Sequence, residues 1–334
     1  MLRRFETYAF APHATAADRV ELGRVLAATG SFIPEVLDSA VGTNRSATGV
    51  DLVWEHAYEA PDAYARYMCH PFHICVLDRY LLPENPECIT ASRRELQLGL
   101  FGYEVAGAPF RTAGTVRRIV AMRPTPDAAE SEIAGFLGAL NARAGEQEAV
   151  EVSVAAANTM GLEWFPDGWT HVWEQAFADE AAMRSTLDAE TALLGAAPVG
   201  AHLDLWYEIE RPAVGPGAAG TAPDPSAAWE RVLMVDTVAV DPDAAVGYVA
   251  AFERLYLPGA RARGLELVAC WATPTDIGEP VTVTTVLDVG AWSDWERARN
   301  AAVADPAVGE WIAFRRSVMR TGRRTFVNSS SDHG

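Results

Sequence analysis

A seven-residue pattern of aromatic and polar residues occurs twice in the chain, far apart. It reads Leu-Val-Trp-Glu-His-Ala-Tyr over residues 52–58 and His-Val-Trp-Glu-Gln-Ala-Phe over residues 171–177. The segments that open the two copies also correspond, with Arg-Arg-Phe at residues 3–5 and Arg-Arg-Ile at residues 117–119. A third, weaker copy begins near Trp229. Because each copy spans about 100 residues, a common size for a domain, the sequence predicts three related repeats in tandem.

Each repeat has the predicted order strand, helix, strand, strand, helix, strand. Helices are predicted where apolar residues recur three and four positions apart, and strands where β-branched and aromatic residues are enriched. The predicted strands are 2–10, 36–43, 50–58 and 96–104 in the first repeat, 115–123, 149–157, 169–177 and 201–209 in the second, and 230–239, 265–273, 280–288 and 322–327 in the third. The predicted helices are 15–29 and 61–81, then 127–143 and 179–193, then 243–257 and 291–302.

This order predicts an α+β fold of tandem ferredoxin-like βαββαβ repeats, each a four-stranded antiparallel sheet with both helices on one face. The opposite face is also apolar, so two sheets are expected to pack face to face as an α/β-barrel. The repeats at 1–108 and 113–211 can pair within the chain. The third repeat, at 228–328, follows a flexible Pro- and Gly-rich linker at 212–227. We expect it to pair with the same repeat of a second chain, which gives a homodimer.

Composition excludes several classes of function. The formal net charge of −18 disfavours nucleic acid and anionic membrane surfaces as partners. All 27 basic residues are arginine, and the absence of lysine excludes Schiff-base catalysis and lysine-dependent phosphate binding. The four cysteines lack Cys-x-x-Cys spacing, which predicts reduced thiols, and neither a signal peptide nor a long apolar run is recognised. We therefore expect a cytoplasmic protein.

Proton-transfer side chains crowd together in one segment, which reads Tyr-Met-Cys-His-Pro-Phe-His over residues 67–73. Histidine titrates near neutral pH and suits a general base, whereas a tyrosine hydroxyl suits a donor to a developing oxyanion. On an unbroken helix Tyr67 and His73 would lie on different faces, but Pro71 interrupts the helix and can redirect His73. The structural alternative is that His70 caps the turn and His73 packs beneath the rim of the barrel.

Four motifs of the first repeat together resemble the stress-responsive dimeric α/β-barrel (Dabb) family. They are Ile-Pro at 33–34, Gly-Thr-Asn-Arg-Ser at 42–46, the 67–73 segment and Tyr-Leu-Leu-Pro at 80–83. Gly42 in the second motif is interpreted as a turn residue. The resemblance covers roughly the first third of the chain, and the second repeat lacks the tyrosine and both histidines.

The family includes polyketide cyclases that close an aromatic ring by intramolecular aldol condensation without a cofactor. The resemblance implies that Tyr67 and His73 act together in such a reaction, and we expect at most one such site per chain, in the barrel shared by repeats one and two. Two positions depart from those cyclases, because Arg4 and Leu52 stand where they carry histidines.

Strand alternation groups the other candidate residues, since every second side chain points to the same face. The resemblance implies that the face carrying Trp54 looks into the barrel and lines a site for a flat apolar ligand. The candidate substrate-binding residues are Arg4, Glu6, Tyr8, Trp54, His56, Tyr58, His70, His171 and Trp173. The alternative is an aromatic core with buried, paired polar groups.

The sequence thus favours a cofactor-free cyclase or lyase acting on a polyketide-like substrate, with His73 as the base and Tyr67 as the donor. No metal site is predicted, because His70 and His73 would need a third ligand, which His13 or His56 would have to supply. Two alternatives stay open. One is a non-catalytic stress protein that binds a small apolar molecule, and the other is a monooxygenase or haem-dependent oxidoreductase on a similar barrel.

Overall fold

The computed structural model describes residues 1–91, 100–104, 115–160, 168–195, 198–211, 225–273 and 278–328. Most of the predicted linker and part of the predicted strand at 96–104 lie outside these residues. The chain forms two compact units. Unit 1 comprises Met1–Tyr64 and Ala91–Ala219, and unit 2 comprises Ala65–Thr90 and Gly220–Gly334. In the described part of the chain, no helix has both the length and the hydrophobicity needed to cross a membrane.

The helices and strands follow the predicted order in all three repeats. The first repeat consists of β1 (Leu2–Tyr8), α1 (Ala16–Ala27), α2 (Thr29–Phe32), β2 (Val36–Asn44), β3 (Leu52–Tyr58), α3 (Pro61–Met68), a π-helical segment (His73–Leu77), α4 (Asp78–Leu81) and β4 (Leu100–Glu104). The second consists of β5 (Val116–Pro124), α5 (Glu130–Glu146), β6 (Val152–Ala157), β7 (His171–Phe177), α6 (Glu180–Gly195) and β8 (Val199–Arg211).

The third repeat follows a short 3-10 helix at Pro225–Ala228. It consists of β9 (Val232–Val240), α7 (Ala245–Ala251), a π-helical segment (Phe252–Tyr256), α8 (Leu257–Ala262), β10 (Glu266–Ala272), β11 (Val281–Gly290), α9 (Trp292–Ala302), α10 (Pro306–Val318) and β12 (Met319–Asn328). Helix α10 was not predicted, although its start is signalled by Asp305, whose side chain caps the Ala307 N–H at 3.0 Å, and by Pro306.

The strands of unit 1 form one sheet in the order β4-β1-β3-β2-β8-β5-β7-β6, so each repeat contributes the ferredoxin-like order 4-1-3-2. Strands β2 and β8 pair antiparallel and join the two repeats at one seam. At the other seam the Thr159 N–H donates to the Gly102 carbonyl at 2.8 Å, and the Gly102 N–H donates to the Asn158 side chain at 2.9 Å. The two outer edges therefore meet, and the tandem repeats form an α/β-barrel as predicted.

The two repeats of unit 1 also share a strand register. In the first repeat Arg3 pairs with Ala57, and in the second Arg117 pairs with Ala176. A side-chain relay is repeated as well. The Trp54 indole donates to the Ser39 hydroxyl at 2.7 Å, and the hydroxyl donates to a carbonyl of α1. In the second repeat the Trp173 indole donates to the Ser153 hydroxyl, and that hydroxyl donates to a carbonyl of α5.

Unit 2 contains a separate four-stranded sheet in the order β10-β11-β9-β12, again ferredoxin-like. One face of this sheet packs against the helices of the third repeat, with Met234 and Leu287 among the buried strand residues and Trp295 and Trp311 among the helical ones. Ile74 from the first repeat belongs to the same core. The helical segment 65–90 therefore folds with the third repeat, an association that the sequence did not predict.

Candidate functional site

The chain breaks its helix between Tyr67 and His73, as the position of Pro71 predicted. Helix α3 ends at Met68, the His70 N–H donates to the Tyr67 carbonyl at 3.0 Å in a tighter turn, and a π-helical segment begins at His73. The break brings the two rings together, with centroids 4.4 Å apart and planes at 45°. Both are deeply buried, since Tyr67 is 0% and His73 is 4% exposed.

The hydrogen bonds of His73 assign different roles to its two ring nitrogens. Nδ1 lies 3.0 Å from the Met68 carbonyl oxygen, which can only accept, so Nδ1 carries the proton. In the neutral ring Nε2 is then the basic nitrogen. It lies 3.6 Å from Oδ1 of Asp78, a carboxylate that would stabilise the imidazolium formed when Nε2 takes up a proton.

Asp78 is itself held by a buried charge from the third repeat. Its Oδ2 forms an ion pair with Nη1 of Arg299 on α9, and Nη2 of Arg299 pairs with Glu296 one turn earlier on the same helix. Asn300 donates to the other Glu296 oxygen at 2.9 Å. His73, Asp78, Arg299 and Glu296 thus form a continuous buried chain of ionisable groups within unit 2. The expectation that the Tyr67 and His73 site lies in the barrel of repeats one and two is wrong, because both residues belong to unit 2 and fold with the third repeat.

His70 has a local structural role in this turn. The Phe72 N–H donates to Nδ1 of His70 at 3.1 Å, so the imidazole caps the backbone where the helix is interrupted. This contact agrees with the structural alternative for His70, and its predicted part in substrate binding stays a prediction.

A second polar cluster lies in the first repeat of unit 1 and contains most of the candidate binding residues. Glu6 is at its centre, since it pairs with Arg4 at 2.5 Å, accepts a hydrogen bond from the Tyr8 hydroxyl and lies 3.7 Å from Nε2 of His56. His56 shares a hydrogen bond of 2.8 Å with the Tyr58 hydroxyl, and burial raises the pKa of Tyr58 well above its usual value. Strand alternation therefore grouped residues that lie close together, and their predicted part in substrate binding stays a prediction.

The prediction that this face looks into the barrel is wrong. The Trp54 side chain reaches α1 through Ser39, which places its face on the helix side of the sheet. The Trp54 ring also stacks on His56 at 4.0 Å, so the two share that side. The barrel interior is lined by residues on the opposite face of the barrel strands, among them Phe5, Val53 and Ile119.

The candidate residues of the second repeat have different surroundings. Trp173 packs on the helix side, as Trp54 does, and His171 stands at the start of β7 with its Nδ1 2.9 Å from the Thr170 hydroxyl. Burial lowers the pKa of His171. The second repeat has Val120 at the position of Glu6. Arg118, which corresponds to Arg4, pairs instead with Glu190 on α6. The polar cluster is thus particular to the first repeat.

The barrel interior of unit 1 holds a charged cluster that the sequence reading missed. Arg3 crosses the barrel to Glu174, with Nη2 to Oε1 at 2.5 Å, and also lies 3.3 Å from Glu55. Arg117 lies 3.7 Å from Glu55, the counterpart of Glu174 in the other repeat. All four side chains are at most 1% exposed. The two repeats therefore contribute matching arginine and glutamate residues to one buried network.

Two tyrosines complete this network. Tyr103 donates to Glu174, and Tyr207 donates to Glu55 at 2.9 Å. Burial and the adjacent carboxylates raise the pKa values of both tyrosines well above the ordinary value, so both remain protonated donors at neutral pH. The signal in the sequence is the glutamate of the repeated Val-Trp-Glu motif, which lies on the opposite strand face from the tryptophan and is present in both copies.

Among the described residues, no three histidine, cysteine, aspartate or glutamate side chains are grouped in a way that could hold a metal ion. His70 and His73 therefore do not form, with either His13 or His56, the three-ligand site that the sequence raised as an alternative.

Comparisons with known proteins yield similar structures only. No family model and no curated protein matches the sequence. Among solved structures, an anthrone oxidase-like protein is 16% identical, with a TM-score of 0.45 and coverage of 66% of this chain and 95% of the other. A NIPSNAP-like domain protein from Burkholderia xenovorans is 18% identical (TM-score 0.27, coverage 31% and 90%). Hydroxynitrile lyase from Passiflora edulis is 18% identical (TM-score 0.26, coverage 34% and 100%).

Proposed function

We propose that the chain is a cofactor-free lyase that closes a polyketide-like substrate into a ring by an intramolecular aldol reaction, with His73 as the base and Tyr67 as the donor. The observation that carries the proposal is the contact between the two rings across the helix break. Such a reaction needs a neutral imidazole with a fixed tautomer, a carboxylate near its basic nitrogen Nε2 and a buried phenol beside it, and this segment carries all three.

In the proposed reaction Nε2 of His73 removes a proton from a carbon that lies between two carbonyl groups. The resulting enolate carbon attacks a second carbonyl carbon of the same molecule and forms the new carbon–carbon bond. The oxygen of that carbonyl becomes an alkoxide, and the Tyr67 hydroxyl donates a hydrogen bond to it. The imidazolium, stabilised by Asp78, returns its proton when the alkoxide is protonated.

The test is the turnover of a synthetic linear poly-β-keto thioester by the purified protein and its variants. His73→Gln is expected to lose about 10²–10⁴-fold in kcat because the base is gone. Tyr67→Phe is expected to lose about 10²–10³-fold because one oxyanion donor is gone. The matched control is Tyr80→Phe, which removes the same atom from a buried tyrosine of α4 whose hydroxyl is bonded to Arg79.

Unchanged turnover in both site variants would exclude the proposed pair. Thermal stabilisation by the thioester without any product would instead support the non-catalytic binding protein. Oxygen consumption in step with product would support a monooxygenase.

We also propose that the third repeat makes the chain a homodimer. The sheet face opposite its helices carries exposed apolar side chains, since Val268 is 53%, Trp271 49% and Val327 38% exposed. The adjacent Cys270 packs in the helix-side core, so Trp271 points away from it. Such a face fits a twofold contact with the same face of a second chain.

Trp271→Glu is therefore expected to dissociate the dimer, since it places a charge at the centre of an apolar contact. A loss of at least 2 kcal/mol, about 30-fold in Kd, should be measurable by analytical ultracentrifugation. Val246→Glu is the control, because Val246 is 82% exposed on α7, away from this sheet face. A monomeric unmodified protein, or a dimer unaffected by Trp271→Glu, would contradict the proposal.

A further inference from the structure

We propose that Arg299 of the third repeat is a positioning residue for His73 and that it sets, through Asp78, the pH range in which His73 can act as a base. The inference rests on the proposed function for its catalytic meaning. It gives the third repeat a direct part in the site, in addition to its part in assembly.

In this geometry one carboxylate, that of Asp78, lies between an imidazole and a guanidinium. Asp78 is 4% exposed, and its Oδ1 lies 3.6 Å from Nε2 of His73 while its Oδ2 pairs with Arg299. Arg299 is 6% exposed, and its guanidinium forms ion pairs with both Asp78 and Glu296. The ion pair with Arg299 therefore fixes the orientation of the Asp78 carboxylate, so that its Oδ1 faces the imidazole of His73.

The electrostatic consequence concerns the imidazole. A buried carboxylate within about 4–6 Å favours the charged form of a histidine, and this effect grows when the carboxylate has no other cation. Arg299 compensates the charge of Asp78, so it limits the stabilisation of the imidazolium. Neutral His73, the form that can accept a substrate proton, is thereby kept available at lower pH.

Other groups besides Asp78 also lie near His73. The Tyr67 ring and the Met68 carbonyl touch the imidazole, and neither carries a charge at neutral pH. From α9, Glu296 adds a negative charge one step beyond Arg299. The Cys69 thiol is affected by the same two residues, and burial together with Glu296 raises its pKa, so it stays a neutral thiol.

The test compares Arg299→Gln with Asp78→Asn, because the two variants are expected to act in opposite directions. In Arg299→Gln the NMR titration midpoint of His73 should rise by about one pH unit, since Asp78 loses its counter-charge. In Asp78→Asn the midpoint should fall, since the anion is removed and Arg299 remains. The acidic limb of the pH profile for the poly-β-keto thioester should move in the same directions.

Arg297→Gln is the matched control on α9, because Arg297 is 72% exposed and pairs with Asp294. Glu296→Gln is a second variant that retains Arg299 and should lower the midpoint, so the inference stays testable if Arg299→Gln does not fold. Midpoints and pH profile unchanged in the folded variants would overturn the inference while leaving the proposed function intact. Shifted midpoints in a protein without turnover would support the positioning role and count against the proposed reaction.

Discussion

Replacement of Glu174 by glutamine is expected to lower the free energy of unfolding by about 3–5 kcal/mol, because it breaks a buried ion pair from one side only. Glu174 is fully buried inside the barrel, where it accepts from Arg3 and from the Tyr103 hydroxyl. Burial acts to lower the pKa of Arg3, but the carboxylates of Glu174 and Glu55 outweigh it and raise that pKa. The substitution removes the closest anion of Arg3, while the guanidinium stays protonated as arginine does throughout proteins, so a buried charge loses its main partner.

Replacing both residues of the ion pair distinguishes two quantities: the loss of stability when one partner is left unpaired, and the net contribution of the intact ion pair to stability. Arg3→Met combined with Glu174→Leu removes both charges and fills the space with apolar atoms. Since buried ion pairs replaced by packed apolar residues are often neutral or stabilising, the double variant is expected to recover much of the loss. A double-mutant cycle with the two single variants gives the coupling energy directly.

The measurement is urea unfolding followed by circular dichroism, with Glu180→Gln as the control. Glu180 forms the corresponding kind of pair with Arg184, but on the surface of α6, where 47% and 59% of the two side chains are exposed. Its loss should change stability by less than about 1 kcal/mol. Equal effects of Glu174→Gln and Glu180→Gln would show that the barrel network contributes nothing beyond a surface pair.

The sequence predicted the fold because strand alternation and motif repetition are local signals. The two Val-Trp-Glu motifs lie at the same register in β3 and β7, and the strands of both repeats fall close to their predicted positions. Alternation also groups Trp54 with His56 correctly. Strand alternation does not show which face of the sheet the helices cover when both faces are buried. Trp54 and Glu55 lie on opposite faces of β3 and both are fully buried.

The candidate site was predictable only in its local part. The contact between Tyr67 and His73 follows from the helix break at Pro71, a feature within seven residues of sequence. The ion pair of Asp78 with Arg299 joins residues in different repeats, and no periodicity or spacing relates them. The same holds for Arg3 and Glu174, whose contact exists only because the two repeats close one barrel. Long-range contacts of this kind depend on tertiary packing, which a single sequence does not encode visibly.

A substitution of Gly42 is expected to destabilise the seam at which β2 pairs with β8 and joins the two repeats. It was interpreted as a turn residue, but it lies within β2, beside an irregularity in the pairing of β2 with β8. A Cβ at this position would stand 2.5 Å from the Glu208 carbonyl oxygen and 2.5 Å from the Tyr207 ring. Strand β2 could then approach β8 only if the backbone of one of them shifted.

Gly42→Ala should therefore lower the free energy of unfolding by about 1–3 kcal/mol, as overpacking does elsewhere, and Gly42→Val should lower it further. Gly138→Ala is the matched control, because Gly138 lies within α5 with nothing within 4 Å of the added Cβ. That substitution should stabilise the protein by up to about 1 kcal/mol, since alanine is the better helix former. Chemical unfolding of the three variants distinguishes a loss at the seam from a general effect of the added methyl group, and a stabilising Gly42→Ala would contradict the close approach of the two strands.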